Sequence, residues 1–266
     1  MTGTVTDLPD GWGTSPYLLM AHGRSVVQAS WQGDGALVVA LEGHDGAAGL
    51  VGLGPAEAVA GLLETAVVET ALVETAVAGA GWAGLRWATV PRGTWDAVGR
   101  SARVVFDHWS DPSAWDCMWT YRALVGGHAH PVERLDPGDA AVRAEVARTL
   151  GRAHPTASTS PDDPRLIGWW GARVDGGLVA VVGALRYAPG LAPHLVSLGV
   201  DPAHRGRGLA GAVLAAAVRD GLAAGTEVGP PAVWLGLYAS NDVARRVYLR
   251  HGFELGHEFE SRSAAV

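Results

Sequence analysis

The apolar residues of the second half of the chain alternate between short runs and helical periods. Val132–Leu135 reads as a short strand. From Pro137 to about Arg152, Ala140, Ala141, Ala144, Val146, Ala147 and Leu150 recur behind an acidic start at Asp136 and Asp139, which predicts a helix. A stretch rich in Pro, Ser, Thr and Asp then makes 153–165 a loop. Leu166–Val174 and Leu178–Tyr187 are strands joined by Asp175-Gly176-Gly177, a hairpin turn. Strand His194–Val200, helix 209–223, strand 233–238, helix 241–251 and a last strand Phe253–Glu260 complete the series.

The first half is less regular. Ser25–Gln32 and Ala36–Leu41 flank Gly33-Asp34-Gly35 as hairpin strands do. Pro55–Ala78 predicts a long helix containing Glu64-Thr-Ala, Glu69-Thr-Ala and Glu74-Thr-Ala. Five residues advance about 500° on a helix, so each Glu turns about 140° from the last. The repeat therefore makes no single acidic face and reads as a local duplication. Trp82–Val90 and Asp116–Leu124 read as strands, and Thr94–Val104 as helical. Composition shifts at Val125–Pro131 (VGGHAHP), which places one domain at 1–125 and another at 131–263.

Composition narrows the setting. The 266 residues, 48% hydrophobic, suffice for one large domain or two modest ones. The polar, Gly/Pro-rich start lacks a leader pattern, and no apolar stretch reaches about 18 uncharged residues, so no membrane association is expected. Cys117, the single cysteine, can form no internal disulfide and suits a reducing cytoplasm; a small buried apolar role is expected of it. A net charge of −7 disfavours a nucleic-acid-binding face, and the absence of lysine leaves none to act as nucleophile or base. The tryptophans from Trp82 to Trp234 read as core packing or as walls of an aromatic pocket. The pair His128-x-His130 is too sparse for a metal site, and no metal is expected.

The most telling chemistry lies at 198–210, Leu-Gly-Val-Asp-Pro-Ala-His-Arg-Gly-Arg-Gly-Leu-Ala. A strand ends at Asp201–Pro202, an Arg/Gly loop follows, and a helix opens at Leu209. The first amides of a helix lack internal partners and carry about half a positive charge, so this order makes a phosphate seat. Gly206 and Gly208 let the backbone approach an anion, while Arg205 and Arg207 offer planar forks. A P-loop would need Lys and then Ser or Thr where Leu209 and Ala210 stand. Gly206-x-Gly208-x-x-Gly211 has the spacing of a dinucleotide fingerprint, but Glu227 lies in the turn Gly225–Pro231 rather than at a strand end. Further on, Ser240 or Asn241 can cap a helix with Asp242 in its first turn and Gly252 at its stop. Asn241, Ala244 and Tyr248 share one face of it, with Asn241 and Tyr248 about 10 Å apart along the axis, within reach of an extended ligand arm.

Val200-x-Pro202-x-x-Arg205-x-x-Gly208-x-Ala210 resembles the coenzyme A pyrophosphate loop of the GNAT superfamily of N-acetyltransferases. Asn241-x-x-Ala244-x-x-x-Tyr248-x-x-x-Gly252-Phe253 resembles that family's second motif, in the family's order. The resemblance implies an α/β fold with a mixed, mostly antiparallel central sheet flanked by helices. It leaves the N-terminal α/β domain open to being a degenerate copy without a phosphate loop, one not expected to bind coenzyme A. It implies transfer of an acetyl group from acetyl-CoA to a primary amine by direct attack in a ternary complex. A catalytically silent acyl-CoA-binding module is the alternative, and a dinucleotide-binding protein a third reading.

By the same resemblance, Arg205, Gly206, Arg207, Gly208, Leu209 and Ala210 would hold the pyrophosphate. The strand edge at Leu198, Gly199 and Val200 would pair with the pantetheine amides while strand 233–238 splays away. An N–H near Leu198 would polarise the thioester carbonyl. Asn241 and Ala244 would line the arm. Tyr248 stands at the general-acid position, and a phenol near pKa 10 can protonate a thiolate near 8.5. For the general base, strands 166–200 offer no carboxylate outside the Asp175 turn. His194, His204 and Glu254 are the candidates, each also readable as a surface or loop residue. Asp162–Asp163 could attract a cationic amine or form a solvated turn.

Overall fold

The computed structural model describes residues 3–74, 84–124, 130–157 and 159–264. Residues 125–129 of the expected boundary Val125–Pro131, His128 among them, with Trp82 and the helix tail 75–78, lie outside the described residues. The chain forms two compact units, Met1–Cys117 with Tyr238–Ser240 and His257–Val266, and Met118–Leu237 with Asn241–Gly256. Its first elements are β1 (Gly3–Thr4), α1 (Pro16–His22), β2 (Val26–Gly33), β3 (Ala36–Glu42), β4 (Ala48–Leu53), α2 (Ala56–Glu74), β5 (Leu85–Pro91), α3 (Thr94–Ala97), α4 (Arg100–Phe106) and β6 (Ser113–Thr120). There follow β7 (Val132–Leu135), α5 (Ala140–Ala153), β8 (Leu166–Val174), β9 (Gly177–Leu185), β10 (His194–Val200), α6 (Leu209–Ala223), β11 (Val233–Tyr238), α7 (Asp242–Arg250) and β12 (Glu254–Ser263).

In the first unit the strands lie in the order β1-β2-β3-β4-β5-β12, parallel only between β4 and β5. Helix α2 makes the crossover and buries Val59 and Leu63 against Val38, Leu50 and Val90. Two of the repeated glutamates, Glu64 and Glu69, point to different neighbours, as their 140° offset requires. Glu64 accepts from the amides of Ser101 (3.2 Å) and Ala102 (3.0 Å) at the start of α4, and Glu69 accepts from Trp31 Nε1 at 2.7 Å. Strand β4 is hidden in the sequence because Gly49 and Gly52 interrupt its apolar run. Gly49 lies under the Trp87 ring, where a Cβ would come within 2.1 Å of the indole. The helix expected over 94–104 is two short ones, parted by extended backbone at Val98 and Gly99.

The second unit orders its strands β11-β10-β9-β8-β7. The turn joining β8 and β9 has positive φ at Asp175 (49°) and Gly176 (79°), as the tightest hairpin turns require. On one face α6 buries Val213, Leu214, Ala217 and Val218 against Val182, Leu195 and Leu235. Its small residues let it lie close to the sheet, since a Cβ on Gly221 would stand 2.8 Å from Val233 Cγ2. On the other face α5 buries Val146 and Leu150 against Trp169 and Val181. Trp95, Trp109, Trp119, Trp169, Trp170 and Trp234 are all buried. The fold is therefore the expected α/β type with a mostly antiparallel sheet flanked by helices.

One order of elements runs twice. β1-α1-β2-β3-β4-α2-β5 in the first unit matches β7-α5-β8-β9-β10-α6-β11 in the second, with the same strand sequence across each sheet. The two copies differ at the parallel pair. β4 and β5 pair at four positions, from Ala48–Leu85 to Val51–Thr89. β10 and β11 pair at only two among the described residues, His194–Trp234 and Leu195–Leu235.

Candidate active site

The parting of β10 from β11 coincides with a break in the ladder on the other side of β10. Val196 pairs with Gly183 and the next pair is Gly199–Val181, so Ser197 and Leu198 together oppose the single residue Val182. Ser197 adopts φ +54°, a left-handed conformation uncommon outside glycine. This is a β-bulge, which bends its strand and takes a backbone group off the ladder. Gly199 then passes against the end of α5, where a Cβ would stand 3.0 Å from Ala153 Cβ.

Past the strand, Asp201 Oδ1 accepts from the amide of Ala203 (3.1 Å) and Oδ2 pairs with Arg152 (2.8 Å), fixing the turn Pro202–His204. Gly206 (φ +76°) and Gly208 (φ +82°, ψ 0°) lead into α6. A Cβ on either would meet nothing within 4 Å, so these are glycines for their dihedral angles, and the loop surface is open. The amides from Gly206 to Ala210 have no acceptor among the described residues. Successive free amides at a helix N-terminus form an anion-binding concavity. The arginines contribute less directly than expected. Arg205 donates Nε to Val200 O (3.1 Å) and Nη2 to Ala153 O (3.2 Å), bracing the loop against β10 and α5. Arg207 Nη2 reaches Ala203 O at 3.4 Å, while the Arg207 carbonyl lies 2.7 Å from His130 Nε2.

Asn241 is exposed and caps α7, its Oδ1 accepting from the Ala244 amide at 3.1 Å. Farther along α7, the face that carries Ala244 and Tyr248 turns inward. Tyr248, Ala244, Leu198, Val200 and Leu209 share one apolar cluster, which brings together residues drawn from three elements. The Tyr248 ring meets Phe253 edge-on at 5.6 Å, and its hydroxyl has no hydrogen-bond partner among the described residues. Burial pushes the phenol well above its ordinary pKa, so it stays protonated at neutral pH. The start of α6 and the end of α7 nearly touch, since a Cβ on Gly211 would stand 2.3 Å from His251 Nε2.

The candidate bases fare differently. His194 stacks on Trp234 (centroids 4.0 Å apart) and Tyr187 (5.4 Å). Burial, with a smaller push from Arg165, lowers its pKa to about 3, so it is a neutral imidazole packed in a stack rather than the surface residue it resembled. His204 lines a polar depression with Arg148, Arg152 and Asp201, its Nδ1 3.8 Å from the Asp201 carboxylate. Glu254 is exposed at the start of β12. Asp162 accepts from Ser160 and Asp163 pairs with Arg165 at 2.7 Å, so that turn closes on itself. Among the described residues no group of three His, Cys, Asp or Glu side chains could hold a metal, and no described helix is long and apolar enough to cross a membrane.

Two residues here carried no signal in the sequence. Ser197 is one polar letter in an apolar run, and serine has no special preference for a positive φ. His130 lies 77 positions from the carbonyl it meets.

Comparison with known proteins agrees with this architecture. Residues 142–253 match the model of the acetyltransferase (GNAT) family. An acetyltransferase of the GNAT family from Colwellia psychrerythraea is 13% identical with a TM-score of 0.50, covering 98% of this chain and 92% of its own. A Drosophila protein is 17% identical with a TM-score of 0.52, covering 90% of this chain and 78% of its own. At such identities the likeness is one of fold. A search of curated proteins finds no match. Residues 142–253 are thus similar to a GNAT acetyltransferase domain, and the parting of β10 from β11 and the amide concavity at α6 lie within that span.

Proposed function

We propose that the second unit transfers an acetyl group from acetyl-CoA to a primary amine by direct attack, in the cytoplasm. The observation that carries this reading is the early parting of β10 and β11 beside the bulge at Ser197–Leu198. A parted strand edge suits the amides of a pantetheine arm, as β-sheets accept peptide strands. The open amides of Gly206, Arg207, Gly208, Leu209 and Ala210 fit a pyrophosphate, with Arg205 bracing the loop and Arg207 adding charge. The first unit is not proposed as a second carrier site. Its β4 and β5 remain paired, and Gly54-Pro55 leads straight into α2.

In this reading each reacting atom of the acyl carrier meets a group of this chain. Gly199 and Val200 offer backbone to the arm, and Ala244 lines it from α7. Asn241, whose Oδ1 already accepts the cap hydrogen bond, offers its amide nitrogen as a donor. The Leu198 N–H polarises the thioester carbonyl, where a fixed dipole acts most strongly on developing charge. Tyr248 supplies the proton that the departing thiolate takes up, and burial keeps that proton on the phenol until it is needed. A lysine-like amine near pKa 10.4 loses about 4–5 kcal/mol to deprotonation at pH 7, so the acceptor arrives as its minor neutral form or sheds its proton on entry.

The test combines calorimetry with coenzyme A and acetylation of an amine panel followed by mass spectrometry. Tyr248→Phe should keep coenzyme A affinity within about twofold and lower kcat by about 100-fold or more. Tight binding with no amine acetylated would favour a silent acyl-CoA module. Stabilisation by a nicotinamide dinucleotide instead of coenzyme A would sink the loop assignment.

A further inference from the structure

We infer that Ser197 receives the acceptor amine, its hydroxyl accepting a hydrogen bond from the attacking N–H and so aiming the amine lone pair at the thioester as the amide forms. This rests on the acyl-transfer reading of the same site. Three observations meet at this residue. Ser197 opens the bulge and immediately precedes Leu198, beside the place where β11 leaves β10. Its φ of +54° is one that glycine would adopt without strain, yet a side chain is kept there. Its Oγ is buried without a hydrogen-bond partner, whereas buried hydroxyls are ordinarily satisfied.

Elimination assigns the partner. In the proposed reaction the arm's amides meet the strand edge, the acyl oxygen meets the Leu198 N–H, and sulfur meets Tyr248. The amine nitrogen is the reacting atom still without a protein group. His194 is locked in its aromatic stack, His204 faces the α5 side beside Asp201, and Glu254 is exposed. A hydroxyl has no basicity at neutral pH, so Ser197 orients the amine and takes no proton from it. The amine lone pair forms the N–C bond, the C–S bond breaks, and Tyr248 O–H protonates sulfur. The amine's surplus proton leaves to water that enters with the acceptor, and solvent reprotonates Tyr248. An amine N–H and a thioester become an amide and a thiol, with no other reagent consumed. The acceptor class is thus a primary or secondary amine that enters with an N–H directed at Oγ.

Ser197→Gly is the discriminating variant, because it removes the hydroxyl and relieves the dihedral strain together. It should be at least as heat-stable as the wild type and bind coenzyme A within about twofold, while kcat falls about 10- to 100-fold with the same amine. Ser197→Ala should show the same loss of kcat. A Gly variant with kcat within about twofold of wild type, in an active wild-type enzyme, would overturn the inference alone. Loss of coenzyme A affinity in parallel with kcat would also overturn it, by placing the hydroxyl on the carrier. A wild-type protein that binds no coenzyme A, or acetylates no amine, would overturn the acyl-transfer reading and this inference with it.

Discussion

Gly208→Ala separates what the anion loop owes to backbone conformation from what it owes to packing. Gly208 sits at φ +82°, ψ 0° as the N-cap of α6, and a Cβ there meets nothing within 4 Å. No clash enters the cost. An L side chain in the left-handed region costs about 1–2 kcal/mol. A less flexible unfolded chain returns about 0.4–1 kcal/mol of that. The net loss of stability should therefore be near 1 kcal/mol, or about 2–4 °C in melting temperature. Binding should suffer more. If the loop escapes strain by rotating position 208 to negative φ, the free amides of Gly208 and Leu209 turn away from a bound diphosphate. Hydrogen bonds to a charged group are worth about 1.5–3 kcal/mol each, so coenzyme A affinity should fall at least about tenfold. Gly208→Asn is the control, since asparagine tolerates this region and should retain most of both properties. Urea denaturation and calorimetric titration of the three proteins give the answer. Wild-type affinity in Gly208→Ala, or equal losses in the Ala and Asn variants, would refute the reasoning.

Gly211 occupies the same motif for a different reason. Helix propensity alone favours Ala there by about 1 kcal/mol, but its Cβ would stand 2.3 Å from His251 Nε2, in a ring held by Nδ1 to Val247 O at 2.7 Å. Gly211→Ala should destabilise by about 1–3 kcal/mol and recover when combined with His251→Ala; a stabilised single variant would contradict the close approach. His194 should make stability depend on pH. Its folded pKa of about 3 lies below the ordinary 6.5, so above pH 6.5 both states are neutral and the fold bears no penalty. As pH falls from 6.5 towards 3 the unfolded state gains a proton that the folded state refuses, costing about 1.4 kcal/mol per pH unit, or about 2 kcal/mol by pH 5. His194→Phe should flatten the stability profile between pH 7 and 5 by that amount, and an unchanged slope would show that the imidazole charges freely in its stack.

What the sequence determined by itself was local. The strands Val132–Leu135, Leu166–Val174 and His194–Val200 and the helix Leu209–Ala223 have the bounds that apolar period, turn residues and caps predict, because each of those signals acts within a few positions. The glycines of the anion loop were legible for the same reason, since positive φ at Gly206 and Gly208 is a property of their own backbone. Strand β4 escaped because Gly49 answers to the Trp87 ring and Gly52 to Val59, neighbours brought in by folding. The site was decided in three dimensions. No spacing rule links Leu198, Leu209 and Tyr248, and it is their burial in one cluster that raises the phenol's pKa. Likewise Arg205 was legible as a charge, but the carbonyls of Val200 and Ala153 turn it into a brace. The bulge at Ser197 and the parting of β10 from β11 arise from a register between strands, and register exists only once the strands have met.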